Sequence, residues 1–481
     1  MDWPRAPGGR PEPCVNPFGN ILRLSIGDLL AKVFGFLAFV YLARVLGVED
    51  YGALEFARAA MVYVLLFGDG GLELWATRQA ARDADLATLA GRVIPLRALL
   101  GCATFLALFV LLAILPAPGR VKTLLLIFAA ALVPQAASLR WAFMGTQQMR
   151  QVALALVLAQ SLFLAGALLT VRAPADLFAV AVVYLVAELA AVGWLLRRFS
   201  GLYGGLRFRF TLRGADAAVR AALPLGAAQA LALMSFNFDS LLLGMLQGPA
   251  AVGLYSAAYK PVTVLLAVPV TYFVGLFPVL SRSWADGPAA FDAVVQRSLR
   301  LAATFALPVG VGATFVAAPV LDLLFGARYA AAAPAMQILA WSAVLVILRG
   351  TFRQGLNAAG CSLVDLRCAG LATGLNVLLN LAVIPIWGFM GAAVATLVSE
   401  VVWLLAATRA FGRHVLAVHM WRILMRPVGA GALMALIMVF TPLLPWPARV
   451  TLGVAIYIGA LLVFGGRRAV VRLWAEEPRP R

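Results

Sequence analysis

The chain has 481 residues, of which 63% are hydrophobic and only 12% charged, with a formal net charge of +18. That composition excludes a soluble globular protein, whose surface needs about twice as many charged residues. The basic excess does not indicate nucleic acid, because the bases sit in short segments between apolar runs, as the positive-inside rule predicts, and form no single patch.

In chain order, the tail 1–20 is polar and rich in Pro and Gly, and is expected to be disordered. It is no signal peptide: the apolar stretch behind it is too long and lacks a small-residue cleavage site. From there, apolar runs long enough to cross a bilayer recur to the C-terminus. The expectation is an all-α polytopic membrane protein of about fourteen helices. Their spans are 21–46, 54–76, 93–115, 121–143, 152–172, 176–197, 219–246, 255–280, 299–324, 332–356, 363–386, 388–409, 421–443 and 447–466.

The bases orient these spans. Segments after even-numbered helices hold Arg78, Arg82, Arg92, Arg150, Arg197, Arg198, Arg282, Arg297, Arg367, Arg409 and Arg413, whereas the other side has few, such as Arg120, Lys122 and Arg328. The first side is therefore read as cytoplasmic, with both termini on it. Cys14, Cys102, Cys361 and Cys368 lack metal-site spacing, and no structural disulfide is expected. His414 and His419 share one basic loop and are read as solvated.

Two echoes divide the chain. "LVAE" (Leu185–Glu188) recurs as "LVSE" (Leu397–Glu400), each followed by a Trp-Leu-Leu triplet. "LGVEDYGALEFARAA" after the first span resembles "LQGPAAVGLYSAAYK" after the seventh, each a glycine turn leading into a small-residue helix start with a base, Arg58 or Lys260. Two echoes in consistent order predict a parallel duplication. The expected organisation is a six-helix bundle over 21–198, a basic cytoplasmic linker over 199–218, a second six-helix bundle over 219–410, two further helices over 411–466 and a cytoplasmic tail over 467–481. The linker is either an amphipathic surface segment or a plain basic connection.

The stretch "NVLLNLAVIPIWGFMGAAVATLVSE" (Asn376–Glu400) resembles a pattern of Wzx-type polysaccharide-biosynthesis flippases, members of the multidrug/oligosaccharidyl-lipid/polysaccharide exporter superfamily. "ARVLGVEDYGALEFARA", "FGDGGLELWATRQAAR", "DSLLLGMLQGPAAVGLYSAAYK" and "LFPVLSR" are similar to further family signatures in the same order. The resemblance runs from about residue 20 to 410. It implies two six-helix bundles related by a pseudo-twofold axis in a V shape, working by alternating access. It also implies a cargo: an oligosaccharide repeat unit on undecaprenyl pyrophosphate, moved from the cytoplasmic to the periplasmic leaflet of a bacterial inner membrane for O-antigen, capsule or exopolysaccharide assembly. A polysaccharide polymerase and glycosyltransferases are the expected partners. Lipid II flippases and drug/cation antiporters of the same superfamily are alternatives. A membrane-embedded polymerase or ligase is the rival of another class, but no nucleotide-binding glycine motif or metal cluster appears, so no enzyme and no cofactor are expected.

A pyrophosphate crossing a bilayer needs bases to replace part of its hydration. Only three of the 39 basic residues are lysines, and Lys32 and Lys260 lie in or near apolar spans. Lys32, Arg58 and Lys260 are therefore the candidate cavity bases, since ionisable residues inside a membrane are functional by default. For Lys260, snorkelling to headgroups is the competing reading. Asp28, one turn before Lys32, is either a structural partner or a coupling acid. Asp239, Asp69 and Glu73 are the other coupling or gating candidates, with proton and sodium both open as the ion. Gln160, Asn237, Asn376 and Asn380 are polar groups available to sugars. Glu188 and Glu400 occupy matching repeat positions and are read as interhelical hydrogen-bonding groups. Pro224, Pro261, Pro269, Pro278 and Pro308 are expected to kink helices seven to nine, and Pro385 to end helix eleven.

Overall fold

The structure is a computed structural model that describes residues 17–82, 85–114, 118–206 and 215–465. The tails expected at 1–20 and 467–481, and the middle of the 199–218 linker, fall largely or wholly outside the described residues. In order, the helices are α1 (Pro17–Asp69), α2 (Leu72–Ala80), α3 (Leu86–Ile114), α4 (Gly119–Ala129), α5 (Leu132–Ala137), α6 (Arg140–Gly145), α7 (Met149–Thr170) and α8 (Leu177–Tyr203). They continue with α9 (Ala215–Gln247), α10 (Pro249–Asp286), α11 (Pro288–Phe325), α12 (Ala333–Ala358), α13 (Ser362–His414), α14 (Met420–Phe440) and α15 (Trp446–Gly465). Every regular element among the described residues is helical, as a chain whose backbone must satisfy its own hydrogen bonds in lipid requires.

Eleven helical segments among the described residues are long and apolar enough to cross a membrane. The predicted fourteen are not tested by that number, because α1 and α13 each join two predicted spans. Each has 53 residues, or about 80 Å at 1.5 Å per residue, more than twice a bilayer's hydrocarbon core. Each breaks at a glycine: Gly47 (φ 78°, ψ 178°) and Gly388 (φ 55°, ψ −136°). These conformations suit a residue without Cβ. The predicted end of helix eleven at Pro385 thus moves three residues on, to Gly388. Pro224, Pro261, Pro269, Pro278 and Pro308 lie within continuous helices.

The chain separates into two compact units. Unit 1 comprises 1–38, 61–172 and 178–231; unit 2 comprises 39–60, 173–177 and 232–481. In unit 1, α1 presents Gly27, Ala31, Gly35 and Ala38 at helical spacing as a buried stripe. A Cβ on Gly27 would lie 2.6 Å from that of Ala153 in α7, so only glycine permits this approach. The core of the unit is built on Trp141, Phe143, Phe199 and Val93. By contrast, α3 leaves Phe105, Leu106, Phe109 and Leu111 exposed, the pattern of a lipid-facing surface.

In unit 2, Phe273, Phe291, Phe352 and Phe411 form one core. The two C-terminal helices dock on α11 through Val311, Met434, Met438 and Tyr457, and the Tyr457 hydroxyl donates to Thr304 O at 3.0 Å. The second sequence echo, that of the glycine turns, is visible in the backbone here. Gly47 (φ 78°, ψ 178°) and Gly248 (φ 84°, ψ 179°) make the same turn, and the helix starts behind them cross. A Cβ on Gly52 would fall 1.8 Å from Pro249 O, and one on Gly253 would fall 2.2 Å from Val48 O. Gly52 stands to Gly253 as Val48 stands to Pro249, each pair 201 residues apart in sequence. The contact is thus reciprocal under the repeat.

Candidate functional site

The break at Gly47 turns the chain back, so Phe39 before it and Glu55 and Arg58 after it meet in unit 2. Helix α10 brings Lys260 to the same place, one residue before Pro261. Lys260 Nζ lies 2.9 Å from Glu55 Oε1, and an Arg58 guanidinium nitrogen lies 3.1 Å from the same oxygen. Both cations also sit on the ring of Phe39, at 3.6 Å for Lys260 Nζ and 4.0 Å for the Arg58 guanidinium carbon, where the negative face of the ring attracts them. The side chains of Glu55 and Lys260 are only 10% and 15% exposed, while Arg58 is 37% exposed. Two bases share one carboxylate, so the cluster carries one surplus positive charge away from bulk water. Arg58 and Lys260, named as candidate bases from sequence, are therefore brought together. Glu55 and Phe39 were missed, although Glu55 lies three residues before Arg58 on the same helix face.

Elsewhere in unit 2, Asp239 is buried on α9. Its Oδ2 accepts from the Tyr255 hydroxyl at 2.6 Å and from Thr396 Oγ1 at 3.4 Å, while Oδ1 has no hydrogen-bond partner. On α13, Asn380 donates to Asn376 Oδ1 at 3.0 Å and leaves its own buried Oδ1 without a donor. The orphaned Asp239 carboxylate oxygen suits a proton or a monovalent cation, and the Asn380 amide oxygen a hydrogen-bond donor or a monovalent cation. Asn237 turns back to its own helix, donating to Leu233 O at 3.4 Å.

In unit 1, Asp28 and Lys32 form an ion pair at 2.6 Å, each about half exposed (48% and 53%). Asp69 and Glu73 are held by Arg97, at 2.9 and 3.4 Å, and not by the neighbouring Arg78. Arg97 is 1% exposed and also donates to Ser138 O at 3.1 Å. Asp69 Oδ2 also accepts the backbone N–H of Glu73, in the first turn of α2, at 3.1 Å. Glu400 is an interhelical partner, bidentate to Arg349 at 2.6 and 3.1 Å, and the Arg349 guanidinium stacks 3.4 Å over Trp403. Sequence reasoning missed Arg97 and Arg349; each is a base embedded in an apolar run, the signal that also flagged Lys32.

A family model described as polysaccharide biosynthesis protein matches residues 18–284, more than half of the chain. The chain belongs to that family. A second model, MatE, matches residues 224–382. Among curated relatives, "Probable flippase AglR" of Haloferax volcanii is 27% identical over 187 residues, covering 38% of this chain and 39% of that one. "Putative O-antigen transporter" of Escherichia coli K12 is 25% identical over 248 residues, covering 50% of this chain and 59% of that one. The matched segments thus span less than two thirds of these relatives' lengths. The lipid II flippase MurJ, inward closed, superposes with a TM-score of 0.77 over 94% of this chain and 100% of that one at 13% identity. An inward-facing MATE-family multidrug transporter of the MOP superfamily gives 0.61 over 81% and 98% at 15% identity. At such identities the structures establish the fold. The family member is an all-α, multi-pass membrane protein, with the fold of these transporters, as the motifs implied.

Proposed function

We propose that this polysaccharide biosynthesis protein is a flippase for lipid-linked oligosaccharides, moving a sugar repeat unit on polyprenyl pyrophosphate from the cytoplasmic to the periplasmic leaflet of the bacterial inner membrane. The observation that carries the reading is the cluster of Lys260, Arg58 and Glu55 on Phe39, with one surplus positive charge inside a membrane-spanning unit. An unpaired base in hydrocarbon costs roughly 3 kcal/mol or more, and a phosphate oxygen placed on Arg58 and Lys260 replaces lost hydration with charge-assisted hydrogen bonds. Glu55 keeps the site neutralised in part when empty and competes with the headgroup for release. Lys32 with Asp28 offers a second, half-exposed base in unit 1; charges exposed on a membrane helix belong on a water-filled cavity, because lipid cannot solvate them.

In this reading two six-helix halves, 21–198 and 219–410, alternate access with both termini cytoplasmic, and the product feeds a polymerase acting with glycosyltransferases. Asp239, with its free Oδ1, is the coupling acid, and Asp69 and Glu73 serve the gate through Arg97. The flippase and transporter names of the relatives support this reading. The test is leaflet location. In a deletion strain, an impermeant sugar-modifying reagent applied to spheroplasts should find the lipid-linked oligosaccharide protected, with exposure restored by the parent but not by Lys260→Ala or Arg58→Ala. Normal exposure in the deletion, in a strain with no second flippase, would remove this cargo and favour lipid II.

A further inference from the structure

The internal repeat places one residue pair in both halves and closes only one copy. In unit 2 the pair is Arg349 and Glu400; in unit 1 it is Arg140 and Glu188. Each arginine stands three residues before a phenylalanine, Phe143 or Phe352, and each phenylalanine packs on another eleven residues beyond the glutamate. Phe143 meets Phe199 at 6.4 Å between ring centroids, and Phe352 meets Phe411 at 5.4 Å. The scaffolds match, but the ion pairs differ. Arg349 and Glu400 are joined by two hydrogen bonds and roofed by Trp403. Arg140 and Glu188 instead stand on the walls of a cavity of about 30 Å³, together with Ser138 and Gln160. That is room for one or two waters with polar partners on several sides.

The cavity ends a longer polar chain within unit 1. The Arg140 backbone N–H donates to Ser138 Oγ at 3.4 Å; Ser138 O accepts from Arg97 at 3.1 Å; Arg97 holds Asp69 and Glu73. The network contains three carboxylates (Asp69, Glu73, Glu188) and two guanidiniums (Arg97, Arg140), so one negative charge is in excess. In unit 2 the Arg349–Glu400 pair is balanced, as is the Arg353–Asp365 pair at 3.4 Å. Asp69 and Glu73 share Arg97, so the excess charge sits on that group; Glu188 shares the cavity wall with Arg140 but lacks the closed bidentate contact that Arg349 gives Glu400. Arg140 on α6 is the only other charged residue lining the cavity; α7 contributes the neutral Gln160, and α8 otherwise adds alanine, valine and leucine.

We propose that Glu188 is a proton-binding site, and that unit 1 exchanges one proton with water through the Arg140–Gln160–Glu188 cavity while the equivalent pair in unit 2 stays closed. The chemistry selects a proton over a metal cation: a single carboxylate with one amide and one serine beside it supplies too few oxygen ligands for a metal, whereas a proton needs only one carboxylate oxygen. Hydronium gives up its proton, water leaves, and the new O–H donates to Gln160 Oε1 or to a cavity water. Gln160 lies under α1, where a Cβ on Gly35 would come within 2.9 Å of its Oε1, so a proton at Glu188 is felt at the helix that carries Asp28 and Lys32.

The experiment is pH-difference infrared spectroscopy of the full chain in liposomes, without cargo, so that its result is independent of the proposed substrate. A protonated-carboxyl band should appear on acidification, vanish in Glu188→Gln, return in Glu188→Asp and persist in Glu400→Gln. Replacing sodium by choline should leave it unchanged. The proposal is overturned if the band survives in Glu188→Gln, if Glu188→Asp does not restore it while remaining folded by size-exclusion chromatography, or if sodium suppresses it.

Discussion

Glu55→Gln is the perturbation that separates a paired cluster from a chance contact. It removes the carboxylate that holds Lys260 at 2.9 Å and Arg58 at 3.1 Å and leaves both cations on Phe39. Breaking a buried pair from one side costs about 3–5 kcal/mol, because the remaining charge stays desolvated. Most of that loss belongs to Lys260, whose side chain is 15% exposed, since Arg58 at 37% retains water. Lys260→Met removes the orphan, and an apolar replacement of the whole pair is often close to neutral. The double variant Glu55→Gln/Lys260→Met should therefore recover most of the stability lost by Glu55→Gln alone, with a coupling of about 2 kcal/mol or more in the cycle. The assay is unfolding in mixed micelles followed by tryptophan fluorescence. In Glu55→Gln alone, which keeps both bases, loss of the competing carboxylate should tighten binding of a polyprenyl pyrophosphate about tenfold, or ~1.4 kcal/mol, by tryptophan quenching. A single variant as stable as the parent, together with zero coupling, would refute the reasoning.

Four further outcomes are expected. Gly52→Ala and Gly253→Ala place a Cβ 1.8 and 2.2 Å from backbone oxygens and should each cost more than about 1–3 kcal/mol, seen as lost monodisperse protein in detergent; Gly275→Ala in the same helix α10, with open space around it, should be neutral or slightly stabilising. Arg349→Ala should destabilise by about 3–5 kcal/mol in the same micelle unfolding, and Arg140→Ala by clearly less, because only the first breaks a closed bidentate pair. Arg97→Met should destabilise unit 1 by a similar 3–5 kcal/mol, read as protease sensitivity of the α1–α3 region, since it leaves Asp69 and Glu73 without their base. Asp239→Asn should abolish the dependence of transport on its driving ion; unchanged dependence in a counterflow assay would remove Asp239 as the coupling acid.

Much of the molecule was legible because membrane folding is governed by local, one-dimensional constraints. Apolar runs, basic loops and glycine turns identified an all-helical multi-pass chain, and the echo around Gly47 and Gly248 proved to be a matching backbone turn. Intramembrane charge flagged Arg58 and Lys260 because such charge is costly wherever it lies. The partners were not legible. Glu55 was overlooked beside Arg58, and the base that holds Asp69, Arg97, comes from a different helix, 28 positions along the chain. The matched glutamates were read correctly as a repeat, but only packing decided that Glu400 closes on Arg349 while Glu188 faces a cavity.

By itself, the sequence determined that this chain crosses the membrane many times, that its halves repeat, and which charges had to be sheltered. These follow from composition and periodicity, since the cost of exposing a peptide group or a charge to lipid depends on residue type and not on its neighbours. The tertiary structure decided which charges share a carboxylate, which are clamped and which keep water beside them. Those outcomes depend on distances of about 3 Å between residues as far apart as Glu55 and Lys260, and helical periodicity carries no information about contacts between helices.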